Sequence, residues 1–161
     1  MAEVLIKNLF MQQINKMSNR KRVALIAHDN KKKELIEWCV YNKNALALHR
    51  LYATGTTGQL LEKALDQSIT KFLSGPLGGD QQIGARIAER KIDVLFFFWD
   101  PMEAQPHDPD IKALLRLAAV WNIPVACDRA SADFILTSPL MYENYDAILP
   151  DYSQYIKRIQ K

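Results

Sequence analysis

Two glycine-rich runs carry the first hint of chemistry, Thr54-Gly55-Thr56-Thr57-Gly58 and Ser74-Gly75-Pro76-Leu77-Gly78-Gly79-Asp80. Each follows a short apolar stretch and precedes a helical pattern. Main-chain N–H groups at a helix start, together with the positive helix end, are suited to hold a phosphate. The glycines allow close backbone approach, and the hydroxyls of Thr54, Thr56 and Thr57 add donors. A plain turn closed by an N-capping threonine also accounts for the first run. It is not a Walker loop, because no lysine follows its second glycine. Asp80 has two readings as well: a helix cap, or a general base that takes a proton from a bound phosphorylated sugar.

Other titratable residues follow neighbouring apolar runs. His28-Asp29-Asn30-Lys31-Lys32 comes after VALIA; Trp99-Asp100-Pro101 and then Pro106-His107-Asp108-Pro109-Asp110 come after VLFFF. Lys32, early in a helix, either reaches a phosphate or is solvated, whereas Lys31 and Lys33 are expected to face solvent. Asp108-Pro109-Asp110 reads as an N-cap, a first-turn proline and an early acid, which leaves His107 unexplained and pointing toward a crevice. His28 and His107 could ligate a metal with Asp29, Asp100, Asp108 or Asp110, but no H-E-x-x-H or comparable spacing supports it, so no metal is expected. His49, within LALHRLY, is read as a structural mid-strand residue.

The elements that must position these groups alternate in type. Strands are expected near 23–27, 47–53, 69–73, 94–98 and 124–127. Helices are expected near 31–41 (Leu35, Ile36 and Trp38 inward), 57–65, 80–90, 110–121 and 130–136. VLFFF is the continuous apolar run of a strand buried on both faces. Strand–helix alternation implies right-handed crossovers and a three-layer, Rossmann-like α/β domain with a mostly parallel sheet of about five strands covered by helices on both faces. In such sheets ligands bind beyond the carboxyl ends of the strands, where four consecutive apolar runs deliver the groups above. Residues 1–20 read as a helical extension with Leu5, Leu9, Ile14 and Met17 on one stripe, preceding a single domain over 21–161.

Composition narrows the class. A chain of 161 residues supports one core but not two full domains. No stretch reaches the length of a membrane span, and the N-terminus lacks a signal-peptide pattern, so a cytoplasmic protein is expected. The net charge of +3 is scattered along the chain, which argues against nucleic acid and suits a small anionic substrate. Cys39 and Cys127 lack C-x-x-C spacing and read as buried reduced thiols.

The combination AHDxxK, LYATGTTG, SGPxGGDQQ, KIDVLxFFWDP and PHDPDIKALLRLAxVWNIPVA resembles the methylglyoxal synthase family in order and spacing, over about Arg22 to Pro139. The resemblance implies a cofactor-free lyase that converts dihydroxyacetone phosphate to methylglyoxal and inorganic phosphate through an enediolate, a glycolytic bypass. It implies Asp80 as the base and His107 as the group contacting the substrate oxygens. Lys32, Thr54, Gly55, Thr56, Thr57, Ser74 and Gly75 would hold the phosphoryl group; His28 would line the site; Asp29, Asp100 and Asp110 would be supporting acids. It further implies a homohexamer inhibited by phosphate. Two other readings stand beside it: an effector-binding module of the carbamoyl phosphate synthetase regulatory type, and an isomerase acting on triose phosphates. The free-standing length and the joint presence of Asp80 and His107 weigh against the module.

Overall fold

Alternating apolar residues build the centre of the protein. The structure, a computed structural model, describes residues 13–104 and 108–159. In chain order the elements are β1 (Ile14–Met17), β2 (Arg22–Ala27), α1 (Lys32–Tyr41), α2 (Lys43–Leu46), β3 (Arg50–Thr54), α3 (Gly55–Leu65), β4 (Ile69–Phe72), α4 (Gly79–Ala88), β5 (Val94–Phe98), α5 (Asp108–Val120), β6 (Val125–Ala126), α6 (Arg129–Thr137), β7 (Tyr145–Ile148) and α7 (Ser153–Ile159). Among the described residues, five strands form a parallel sheet in the order β4-β3-β2-β5-β6. The expected fold class is the one observed. The order reverses at β2, which places the switch point of the doubly wound sheet between β2 and β5.

The strand period of two divides the core into two layers. Val23, Leu25 and Ala27 of β2 and Val94, Phe96 and Phe98 of β5 face one cluster, packed by Leu35 and Trp38 of α1, Leu61 and Leu65 of α3, and Ala132 and Leu136 of α6. Ala24, Ile26, Leu95 and Phe97 face the other, packed by Ile83 and Ile87 of α4 and Ile111, Leu114 and Ala118 of α5. All five residues of β5 are buried, as its unbroken apolar run requires. Ile36, expected to face inward with Leu35 and Trp38, packs only partly buried against the first cluster.

Two expectations need correction. The strand read from residue 47 begins only at Arg50, because Ala47, Leu48 and His49 donate their amides back to Lys43, Ala45 and Leu46 at 2.9, 3.2 and 3.0 Å and close the α2 turn. His49 therefore precedes the strand rather than lying within it. Ile14 and Met17 do not share a helical stripe: they open and close β1, which pairs antiparallel with β7 from Ile14–Ile148 to Met17–Tyr145. The cross-strand bonds and the burial of Met17 against the second core layer outweigh the helical spacing seen in the sequence. The Leu5 and Leu9 part of that reading lies outside the described residues.

Candidate active site

The two glycine runs meet because Gly55 and Gly79 do something a larger residue could not. Gly55 opens α3 with φ +30°, and a Cβ there would lie 2.8 Å from the Ser74 Cα, so the ends of β3 and β4 are packed main chain to main chain. At Gly79 a Cβ would lie 2.0 Å from the Leu73 carbonyl oxygen, which only glycine permits. Its N–H donates to the Ser74 carbonyl at 2.9 Å, folding the second run back on itself.

That fold decides between the readings of both runs. Thr54 occupies the N-cap position of α3, but its hydroxyl makes no capping bond. The simple capping explanation for the first run is thereby lost, and Thr54 (5% exposed) and Thr57 (1%) are buried at the helix start. Asp80 is not the cap of α4 either. Gly78 takes that place in the left-handed conformation, φ 104°, and Asp80 sits in the first helical turn, 2% exposed.

A cavity of about 320 Å³ opens here, at the carboxyl ends of β2, β3 and β4. Its lining includes nine residues singled out from sequence: His28, Asp29, Lys32, Thr54, Thr56, Thr57, Ser74, Gly75 and Asp80. Ile26, Ala27 and Pro76, which sequence reasoning missed, complete it with apolar surface. Their only signal in the sequence was position: the last residues of a strand and the neighbour of a chosen glycine. Gly55 shapes the wall by its contact with Ser74 rather than by lining the space.

Lys32 is steered across the opening. Its Nζ donates to Asp29 Oδ1 at 2.5 Å and to Thr56 Oγ1 at 2.7 Å, which joins the loop after β2 to the first turn of α3. Lys31 instead pairs with Glu34 at 2.8 Å and Lys33 lies within 3.9 Å of Glu37, both pointing away from the cavity lining.

His28, 4% exposed, continues the β2–β5 ladder by donating its main-chain N–H to the Phe98 carbonyl at 3.1 Å. Its ring stands edge-on to Phe97, centroids 5.4 Å apart. Nδ1 accepts the main-chain N–H of Asp100 at 3.2 Å. The Asp100 carboxylate accepts from the Met102 N–H at 2.9 Å and from Asn30 Nδ2 at 3.1 Å, and these bonds hold its carboxyl below the usual aspartate range. Asp100 thus supports His28 from behind and does not line the cavity. Asp110 lies half-buried in the first turn of α5, also away from the lining. His107 lies outside the described residues.

A buried carboxylate, a lysine, hydroxyls and a helix start share one crevice. Such a set can bind an anionic group at one end of a small molecule while a base removes a proton at the other. Fold and crevice together define a doubly wound α/β protein with a polar crevice at its strand ends. A family model described as MGS-like domain matches residues 34–127. The methylglyoxal synthase of Coxiella burnetii (strain Dugway 5J108-111) is 59% identical over 139 residues, 86% of this chain and 97% of its own length. That of Saccharophagus degradans is 60% identical over 140 residues, 87% and 91% of the two chains. The crystal structure of methylglyoxal synthase from Elizabethkingia anophelis NUHP1 matches with a TM-score of 0.86 and 54% identity, covering 91% of this chain and 97% of that one. The chain belongs to the methylglyoxal synthase family.

Proposed function

We propose that the chain is a lyase converting dihydroxyacetone phosphate to methylglyoxal and inorganic phosphate, with Asp80 as the base. The observation that carries this is the presence of Asp80 in one cavity with Lys32, Thr54, Thr56, Thr57, Ser74 and Gly75. The start of α3, Lys32 and the surrounding hydroxyls bind the phosphoryl group. Asp80 takes a proton from C3, and the electron pair forms the C2–C3 double bond of an enediolate. His28 and His107 donate to the oxygens on which charge builds. The enediolate then expels phosphate from C1 as the C–O bond breaks, and the resulting enol takes a proton at C1 to give methylglyoxal. Expulsion requires that bond to lie along the enediolate π system; an isomerase would protonate a carbon instead.

The same family membership supports three finer expectations: a homohexamer, inhibition by inorganic phosphate, and a cytoplasmic role bypassing part of glycolysis. Among the described residues no helix is long and apolar enough to cross a membrane. The test is a coupled assay with dihydroxyacetone phosphate after exhaustive chelation, following methylglyoxal and phosphate together. Equal release of both, suppressed by added phosphate, is expected. Release of glyceraldehyde 3-phosphate would make the chain an isomerase, and phosphate binding without turnover would make it an effector module.

A further inference from the structure

His28 leaves one matter open in the mechanism: what decides which ring nitrogen carries its proton. On one side of the ring the answer is on view: the Asp100 main-chain N–H donates to Nδ1 at 3.2 Å. A main-chain N–H donates and never accepts, so Nδ1 must present a lone pair and the neutral ring carries its proton on Nε2. Protonation of Nδ1 would break that bond. The Asp100 turn thus selects the tautomer of a residue that lines the cavity.

What holds the Asp100 turn is visible one bond further out. One carboxylate oxygen accepts from Met102 within the turn itself. The other accepts from Asn30 Nδ2 at 3.1 Å, and the same amide donates to the Glu103 carboxylate. Asn30 belongs to the loop after β2, two residues beyond His28, and its partners belong to the loop after β5. Its side chain ties the two loops between which the His28–Asp100 contact is made. The tie falls at the switch point of the sheet, where the chain connects β2 and β5 only through distant crossovers.

We infer that Asn30 is a positioning residue: it fastens the Asp100 turn so that the Asp100 N–H stays on Nδ1 of His28, and His28 offers Nε2–H to the substrate as a neutral donor. The donor role rests on the reaction proposed above, whereas the tautomer selection does not. Asn30 is exposed and packs in neither core layer, so its replacement leaves the fold in place.

The experiment records ring nitrogen spectra of histidine-labelled protein, assigned with His28→Gln, for the parent, Asn30→Ala and Asn30→Gln. The kcat and KM for dihydroxyacetone phosphate are measured in parallel. In the parent, a single neutral Nε2–H tautomer is expected at His28. Asn30→Ala mixes the tautomers and lowers kcat by about tenfold with little change in KM, the scale of a small misplacement. Asn30→Gln, which keeps an amide donor on a longer stem, restores part of both signals. A proton on Nδ1 in the parent, or an Asn30→Ala protein with the parent's spectrum and kcat, would overturn the inference. A parent with no turnover would overturn the proposed reaction while the spectra still decide the tautomer.

Discussion

The two ends of the central sheet use polar residues in opposite ways. At the amino ends, polar groups bond to neighbouring groups of the protein. Lys21, 2% exposed, donates to the carbonyls of Ser18 and Glu143 at 2.7 and 2.5 Å, and burial holds its ammonium below the usual lysine range. Arg22 grips Asp93 through two side-chain bonds of 2.9 and 2.7 Å, and its main-chain N–H adds a third at 2.8 Å. His49 accepts the Lys21 N–H at 3.2 Å and packs beside Tyr142. At the carboxyl ends, Lys32, Thr54, Thr57 and Asp80 surround a cavity of about 320 Å³. The difference is one of surroundings. At the amino ends the charged groups meet carbonyls and a carboxylate of the protein. At the carboxyl ends a lysine, hydroxyls and a carboxylate converge on one polar cavity, Lys32 bonding to Asp29 and Thr56 as well.

Three experiments test that contrast. The largest effect is expected from Asp80→Asn, which removes the base without removing bulk. The kcat should fall by about a thousandfold, or about 4 kcal/mol of transition-state stabilisation, while inorganic phosphate still binds by calorimetry. Near-parent turnover would remove Asp80 from the mechanism. Next is Asp93→Ala at the opposite end. It strands the Arg22 guanidinium against a half-buried wall and should cost about 3 kcal/mol in urea unfolding, with kcat unchanged in the folded protein. A fall in kcat without loss of stability would show that the two ends are not separate.

The smallest effect concerns pH. Burial first, and then the charges of Lys21 and Arg20, hold the His49 imidazole below its ordinary value. The folded protein thus binds this proton less readily than the unfolded chain, and stability rises with pH wherever the unfolded chain binds more protons. The His49 contribution is complete above about pH 6.5, the ordinary histidine value, and is lost as pH falls from there through the lower folded value. His49→Gln, which keeps an acceptor and removes the titration, should flatten this part of the stability profile relative to the parent. Parallel profiles would show that His49 does not titrate on unfolding.

Much of the site was legible before any coordinates, because its chemistry is concentrated in short runs after apolar strands. Nine of the residues lining the cavity lie in those runs, singled out by their types together with the family resemblance. What was not legible has a common physical origin. Asn30 acquires its role only by facing Asp100, 70 positions away, and no local pattern encodes a partner at that separation. His49 looked like a strand residue because its flanks are apolar, yet the preceding helical turn consumes its amide. Ile14 and Met17 looked helical by spacing until β7, about 130 residues later, supplied a partner strand.

By itself the sequence determined the layered α/β class, the resemblance to the methylglyoxal synthase family and the set of groups collected at the strand ends. Hydrophobic period, glycine placement and residue type act locally and can be read along the chain. Tertiary structure alone decided that Asp80 is not a helix cap, that Thr54 spends no hydroxyl on capping, and that the main-chain N–H of Asp100 meets Nδ1 of His28. Those are matters of how the chain turns at each strand end and which atoms then meet between loops, and only the assembled sheet brings them together.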